Sequence, residues 1–386
     1  MAIAVLRLKR GRDRALAHPW IFKGDVADVS DVAPGSVVTV VDSAGRFVGR
    51  GFYNPRPALC CRILTRDDES IDRGFFRRRI AGAIARRDPA AEAARLVWSE
   101  GDGLPGLVVD RYGPVAVVQC LTLGMTRVRD AIVTAILGAV GDVATFARDD
   151  DVAASLEGFE PTRGWLGAAG PDHVVVAEGA VKLRVAFGGG QKTGLYLDQA
   201  ENRKRIGPLA TGRTVLDAFA YTAAFTCHAL AGSGESAVCI ESSPEAVAGA
   251  RANLDANGFL PRVEIVPANV FDELRRLDHE RRRFGLIVLD PPPFARSRAA
   301  VDAAARGYKE INLRAMRLLE PGGVLATFSC SHHVSEELFT DICRDAAADA
   351  GIELRVLHAL TQAPDHPTLL GVPETRYLKG LLLEAV

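Results

Sequence analysis

The 386-residue chain has no long apolar run, almost no net charge and no regular cysteine framework. No stretch approaches the roughly 20 apolar residues of a membrane helix, and the start, MAIAVLRLKRGRDR, is too polar for a signal sequence. A formal charge of -1 excludes a uniformly basic nucleic-acid binder, although 47 Lys and Arg against 48 Asp and Glu leave room for local basic patches. Seven cysteines occur as the pair Cys60-Cys61 and as isolated Cys120, Cys227, Cys239, Cys330 and Cys343, mostly in apolar company. That scatter suits reduced thiols, and the expectation is a cytoplasmic protein with no membrane association. Hydrophobic content of 48% with 25% charged residues argues against extended disorder, and the length predicts two or three domains.

Three textures follow one another. Residues 1–75 read as a β-rich module: GSVVTVVDSAGRFVGRGFYN alternates β-branched residues around a turn at Ser43-Ala44-Gly45. Before it, Arg7, Lys9, Arg10, Arg12 and Arg14 are opposed only by Asp13, either a solvated face or an electrostatic footprint for phosphate. Residues 76–178 read as a middle α+β domain, with a basic helix in FFRRRIAGAIARR, two strands around Tyr112-Gly113-Pro114, and a second helix in MTRVRDAIVTAILGAV. Residues 179–386 alternate apolar strands (213–217, 236–241, 262–267, 284–290, 323–329) with helical patterns such as 243–258, where Ser243 suits an N-cap. That alternation predicts an α/β domain with a mostly parallel, doubly wound sheet. Two late β runs, IELRVLH and RYLKGLLLE, predict a closing hairpin.

Open α/β sheets bind ligands at the carboxyl ends of their strands. Those ends carry Asp217, Glu241, Asn269, Asp290 and Cys330. An acid at the end of the second strand, here Glu241, suits ribose hydroxyls, because a carboxylate accepts both hydrogen bonds. The glycine fingerprint that lets a backbone approach a pyrophosphate is missing from DAFAYTAAF, so a nucleoside cofactor without phosphates fits better than a dinucleotide. In LDPPPF, Pro291, Pro292 and Pro293 fix an extended turn after Asp290, either a rigid cap on the sheet or an acid held over a planar base with Phe294 available to stack. Cys330, in FSCSHH, admits three readings: a core thiol, a metal ligand or a nucleophile. The metal reading is disfavoured, because Cys330, His332 and His333 cannot supply a tetrahedral set and no second cluster accompanies them; no metal is expected.

With these motifs the chain resembles the class I S-adenosylmethionine-dependent methyltransferases, and more closely the bacterial large-subunit ribosomal-RNA methyltransferases that make 5-methylcytosine. The resemblance rests on SEGDGLPGLVVDRYG, GQKTGLYLDQAENR, VLDAFAYTAAF, LDPPPF, FSCSHH and HPTLLGVPETRYLKGL, and it covers almost the whole chain. It implies an N-terminal PUA-like RNA-binding module and a Rossmann-like catalytic domain with a seven-stranded sheet. S-adenosyl-L-methionine is the implied cofactor, large-subunit ribosomal RNA the implied partner, and a homodimer the implied assembly. Asp217, Ala220 and Tyr221 would lie under the methionine part of the cofactor, Glu241 at the ribose and Asn269 beside the adenine. Lys192, Thr193, Tyr196 and Asp198 would build the loop over cofactor and target, with Lys192 and Thr193 on the substrate side. Asp290 would stand between cofactor and target base, beside Pro291, Pro292 and Phe294, and Cys330 would be the nucleophile. The chain departs from the family where Ala223-Ala224 replaces a common Gly-Gly pair, where Pro293 replaces a common Lys, and where DPPPF lacks a second cysteine. Two rival functions remain open: methylation of a base nitrogen with an idle Cys330, and RNA binding without catalysis.

Overall fold

The computed structural model describes residues 4–11, 18–187, 194–295 and 297–386, so Arg12, Asp13, Arg14, Lys192 and Thr193 lie outside the described residues. The chain divides into two compact units, one running to Val174 and taking in Asp365–Arg376, the other comprising Val175–Pro364 and Tyr377–Val386.

The first unit contains two sheets. Strands β1 (Ala4–Leu8), β2 (Trp20–Phe22), β3 (Val26–Val29), β4 (Ser36–Val41), β5 (Phe47–Tyr53) and β6 (Leu59–Thr65) pair in the order β2-β6-β5-β4-β1-β3. The expected turn joins β4 to β5: the Asp42 carboxylate accepts from the amides of Ala44 and Arg46, and Gly45 takes φ +83°. Alternation then buries Val38 and Val40 with Leu6, Ile21 and Ile63. Strands β7 (Ala93–Trp98), β8 (Leu107–Tyr112), β9 (Val115–Cys120), β10 (Ala144–Arg148) and β11 (Arg163–Leu166) form a second sheet in the order β11-β10-β9-β8-β7. The basic helix spans Arg73–Ile84, capped by Asp72, and buries Phe75, Phe76 and Ile80 against Leu96, Val109 and Ile132. The second expected helix is broken into Leu123–Arg127 and Arg129–Val140. Val128 leaves helical geometry at the break, and Arg129 turns its guanidinium to the buried Asp149 at 2.6 Å.

Asp365–Arg376 is a late contribution to this unit. The Asp365 carboxylate accepts from the Arg95 amide at 2.8 Å, the His366 ring packs on Trp98, and Glu374 meets His18 Nε2 at 3.1 Å.

In the second unit, β12 (His173–Glu178), which starts at the unit boundary, pairs with β13 (Val181–Ala186). Strands β14 (Thr214–Ala218), β15 (Ser236–Ile240), β16 (Val263–Val266), β17 (Phe284–Leu289), β18 (Leu319–Ser329), β19 (Leu354–Thr361) and β20 (Lys379–Ala385) build a seven-stranded sheet in the order β16-β15-β14-β17-β18-β20-β19. β14 to β18 run parallel, and β20 lies antiparallel between β18 and β19, the expected closing pair. All six residues of β17 are buried, as a strand covered on both faces requires. Strand order reverses between β14 and β17, so the crevice beyond Ala218 and Leu289 is where such a sheet takes a ligand.

Candidate active site

Beyond those strand ends lies a cavity of about 1100 Å³, room for a nucleoside-sized molecule together with a second ring. Among the described residues, Asp198, Glu241, Glu245 and Asp290 line it against one guanidinium, that of Arg184, so its charge suits a cationic ligand.

The turn after β14 forms the floor. Phe219, Tyr221 and Ala223 take φ of +65°, +49° and +59°, a left-handed backbone that L-residues adopt at a cost of about 1 kcal/mol each. Two neighbours hold them there. The buried Asp217 carboxylate accepts from Thr226 N at 3.1 Å and Thr226 Oγ1 at 2.7 Å, fixing the helix Ala224–Ala231. Glu241 accepts from Tyr221 N at 2.9 Å through one oxygen and Ser243 N at 2.8 Å through the other. Each of its oxygens keeps a lone pair for a ligand hydroxyl. Burial pushes the Asp217 carboxyl up to about 6, with the Glu241 charge adding to the rise and the Thr226 bonds opposing it. Asp217 is therefore a brace beneath the cavity, and neither it nor Ala220 is among the lining residues.

Opposite the floor, Tyr196 and Asp198 do line the cavity. The Tyr196 ring meets that of Tyr221 at 5.1 Å, and the Tyr377 hydroxyl donates to Asp198 Oδ2 at 2.6 Å. The Asp290 carboxylate accepts from Gln199 Nε2 at 3.0 Å. Burial pushes its carboxyl up to about 7, the Asp198 charge adds to this, and the Gln199 bond pulls the other way.

Pro291, Pro292 and Pro293 line the cavity after Asp290, but Phe294 turns away into a cluster with Phe219, Phe271 and Tyr308, 4.6 Å from the last. Its ring stiffens the proline turn from behind. Asn269 caps the helix Val270–His279 by accepting from Phe271 N at 2.9 Å and is not among the lining residues either.

Cys330, His332 and His333 complete the wall. Cys330 Sγ lies 3.7 Å from the Pro291 carbonyl oxygen, so β17 and β18 bring the acid and the thiol to one edge of the cavity. All six other cysteines are buried. Burial alone pushes Cys343 up to about 12, and it is the main cause of similar rises at Cys120 and Cys227.

Two contributors lay inside segments read from the sequence without being singled out. Gln199 belongs to LDQAENR and reaches Asp290. Lys379 opens β20 in RYLKGLLLE, where one lysine heading an apolar strand was the available signal. Its ammonium donates to the carbonyls of Ser331 and Val334, both at 2.6 Å.

Residues 158–383 match the family model described as S-adenosylmethionine-dependent methyltransferase, and residues 6–66 match that of a PUA-like domain. The chain is similar to the ribosomal RNA large subunit methyltransferase I of Alteromonas mediterranea, at 40% identity over 98% of each chain. It is 39% identical to the protein of that name from Erwinia tasmaniensis and 40% to that from Shewanella frigidimarina, each over 99% of both chains. Among solved structures, a Streptococcus mutans protein named for SAM-dependent methyl transfer superposes with a TM-score of 0.84 at 19% identity, covering 99% of this chain and 100% of that one. A second solved chain, complexed with SAH, gives 0.85 at 19% identity over 100% of both.

Proposed function

The chain belongs to the S-adenosylmethionine-dependent methyltransferase family, and from that premise we propose that it methylates carbon 5 of a cytosine in large-subunit ribosomal RNA, through a transient bond between Cys330 and carbon 6 of the ring. The substrate class follows the relatives named for it and the PUA-like match, and such a substrate places the enzyme in the cytoplasm. The reading of the base rests on one observation: the only cysteine of the seven that is not buried stands on the cavity wall beside the Asp290 turn.

The acidic cavity fits the cofactor's charge, Glu241 has acceptor capacity for its ribose hydroxyls, and Tyr196 and Tyr221 flank the floor. When bound, it supplies an electrophilic methyl on a sulfonium. Carbon 5 of cytosine is too weak a nucleophile to take that methyl unaided. Cys330 Sγ, as thiolate, adds to carbon 6; the ring π electrons shift so that carbon 5 becomes enamine-like, and ring nitrogen 3 takes a proton from Asp290. Carbon 5 then gains the methyl as the methyl–sulfur bond breaks. Loss of the carbon-5 proton to a base, with Asp290 now available as carboxylate, expels the thiolate and restores the double bond, and ring nitrogen 3 releases its proton to solvent. The net change is a methyl for a proton.

Asp290 enters this sequence protonated, and its carboxyl keeps its proton up to about pH 7. Turnover is therefore expected to fall above that pH. Asp290→Asn should slow turnover by about 10²–10⁴-fold and remove the descending limb, since an amide does not titrate. A pH–rate series on both proteins checks this, and an unchanged limb in the variant would place the titrating group elsewhere.

The test of the function itself is product identity. Purified protein, methyl-labelled cofactor and ribosomal RNA from a strain lacking the gene should yield labelled 5-methylcytidine on nucleoside digestion. Label on a guanine or an exocyclic amine would overturn the reading of the base, and no label in ribosomal RNA would overturn the substrate.

A further inference from the structure

We propose that Lys379 is the positioning residue of Cys330: its buried ammonium clamps the turn that follows the cysteine and holds a positive charge beside the sulfur, making the thiol reactive before any RNA arrives. The inference deepens the reading of Cys330 as nucleophile and rests on it.

The register of the sheet places Lys379. β20 runs antiparallel to β18 with Lys379 opposite Ser329, so the first side chain of β20 lies beside the last strand residue before Cys330. The lysine is only 8% exposed. Two of its three N–H donors go to the carbonyls of Ser331 and Val334, bracketing His332 and His333. No carboxylate hydrogen-bonds the ammonium among the described residues; its charge is left facing Cys330 and, in the helix Glu336–Ala350, Glu336. Burial pulls the lysine down to about 8, with the negative charges of Cys330 and Glu336 working against that fall.

The attraction is mutual: a thiolate beside a desolvated ammonium is stabilised as the ammonium is. Other titratable groups face the pair. Tyr196, with Asp290 and Asp198 behind it, borders Cys330 on the cavity side, Tyr308 borders it from the helix Val301–Arg317, and His332 and His333 belong to the clamped turn. A nearby carboxylate such as that of Glu336 disfavours a thiolate, and the Lys379 ammonium opposes it.

The measurement is the rate at which iodoacetamide alkylates Cys330 between pH 6 and 10, read by mass spectrometry on the full-length protein without RNA. The other six cysteines are buried, so the accessible signal belongs to one site. Lys379→Met should raise the apparent thiol pKa by about one unit and slow alkylation at pH 7 roughly tenfold. Because Lys379 itself loses its charge near pH 8, the wild-type profile should be broadened. Lys379→Arg, which keeps a permanent charge and the clamp, should titrate in a single sharper step. Should the methionine variant fail to fold, the arginine profile decides. A wild-type-like profile in whichever variant folds overturns the proposal, since a merely structural lysine would not move a thiol's titration. A failure here leaves Cys330→Ala inactive, whereas failure of the nucleophile reading leaves Cys330→Ala active, so the two are separable.

Discussion

Cys330→Ala is expected to abolish methylation, with turnover lower by on the order of 10⁴-fold or more, as when other covalent nucleophiles are removed. Cofactor affinity should be unchanged, because the role proposed for the sulfur is toward the base and not toward the cofactor. Calorimetric titration of the cofactor alongside label transfer reads both quantities on one preparation. A second reading comes from RNA carrying 5-fluorocytosine. Fluorine at carbon 5 cannot leave as a proton does, so the sequence stalls with sulfur still bonded to carbon 6. Wild type should then form a complex that survives denaturing electrophoresis, and Cys330→Ala should form none. Methylation by the alanine variant at the wild-type rate would make the thiol structural and move the chemistry to a nitrogen.

The largest effect on stability is expected from Arg203. The residue is 1% exposed, and its guanidinium meets both oxygens of Glu178 at 2.6 and 2.7 Å and donates to the Tyr196 carbonyl at 2.8 Å; His228 Nε2 lies 2.8 Å from Glu178. Glu178 ends β12, Arg203 sits in the helix Ala200–Ile206 and His228 in the helix Ala224–Ala231, so one ion cluster ties the β12–β13 pair to the cavity's tyrosine segment. Arg203→Met leaves a carboxylate buried without its cation, which costs about 3–5 kcal/mol. The sign with pH is specific. Burial favours the neutral form of Glu178, yet Arg203 and His228 together hold its carboxyl down to about 2. In wild type the pair's contribution is therefore full above the ordinary carboxylate range and lost as pH falls through about 2. Without Arg203 the burial cost is opposed by His228 and no longer by the guanidinium, and Glu178 holds its proton to higher pH. The difference in melting temperature between variant and wild type should consequently narrow on acidification. A gap that stays constant down to pH 4 would show that lost packing, not the stranded charge, sets the deficit.

Much of the catalytic unit was legible in the sequence because parallel strands buried on both faces must be apolar throughout. The runs at 213–217, 236–241, 262–267 and 284–290 fall within a residue or so of β14, β15, β16 and β17. The strand-end rule then found Glu241, Asp290 and Cys330 on the cavity. The same rule also offered Asp217 and Asn269, whose side chains are spent on Thr226 and Phe271 amides; a strand-end acid and a helix cap look alike in one dimension. Phe294 was misplaced because the proline turn fixes the backbone but not which side receives the ring. Lys379 was invisible as a site residue for a longer-range reason: its neighbour Ser329 is 50 positions away, and only the register of an antiparallel pair brings the two together. Ala223 adopts φ +59°, a left-handed conformation that an alanine does not announce in the sequence.

The excursion of Asp365–Arg376 into the first unit bears on how the chain is born. Strands up to β11 leave the ribosome early, yet the segment that pairs with Arg95 and packs on Trp98 is encoded about 190 residues after Val174. At ordinary translation speeds that interval is roughly 10–40 s. Through all of it the nascent first unit must wait without its last piece, so its final form is sealed only after the second unit's strands through β19 have been made.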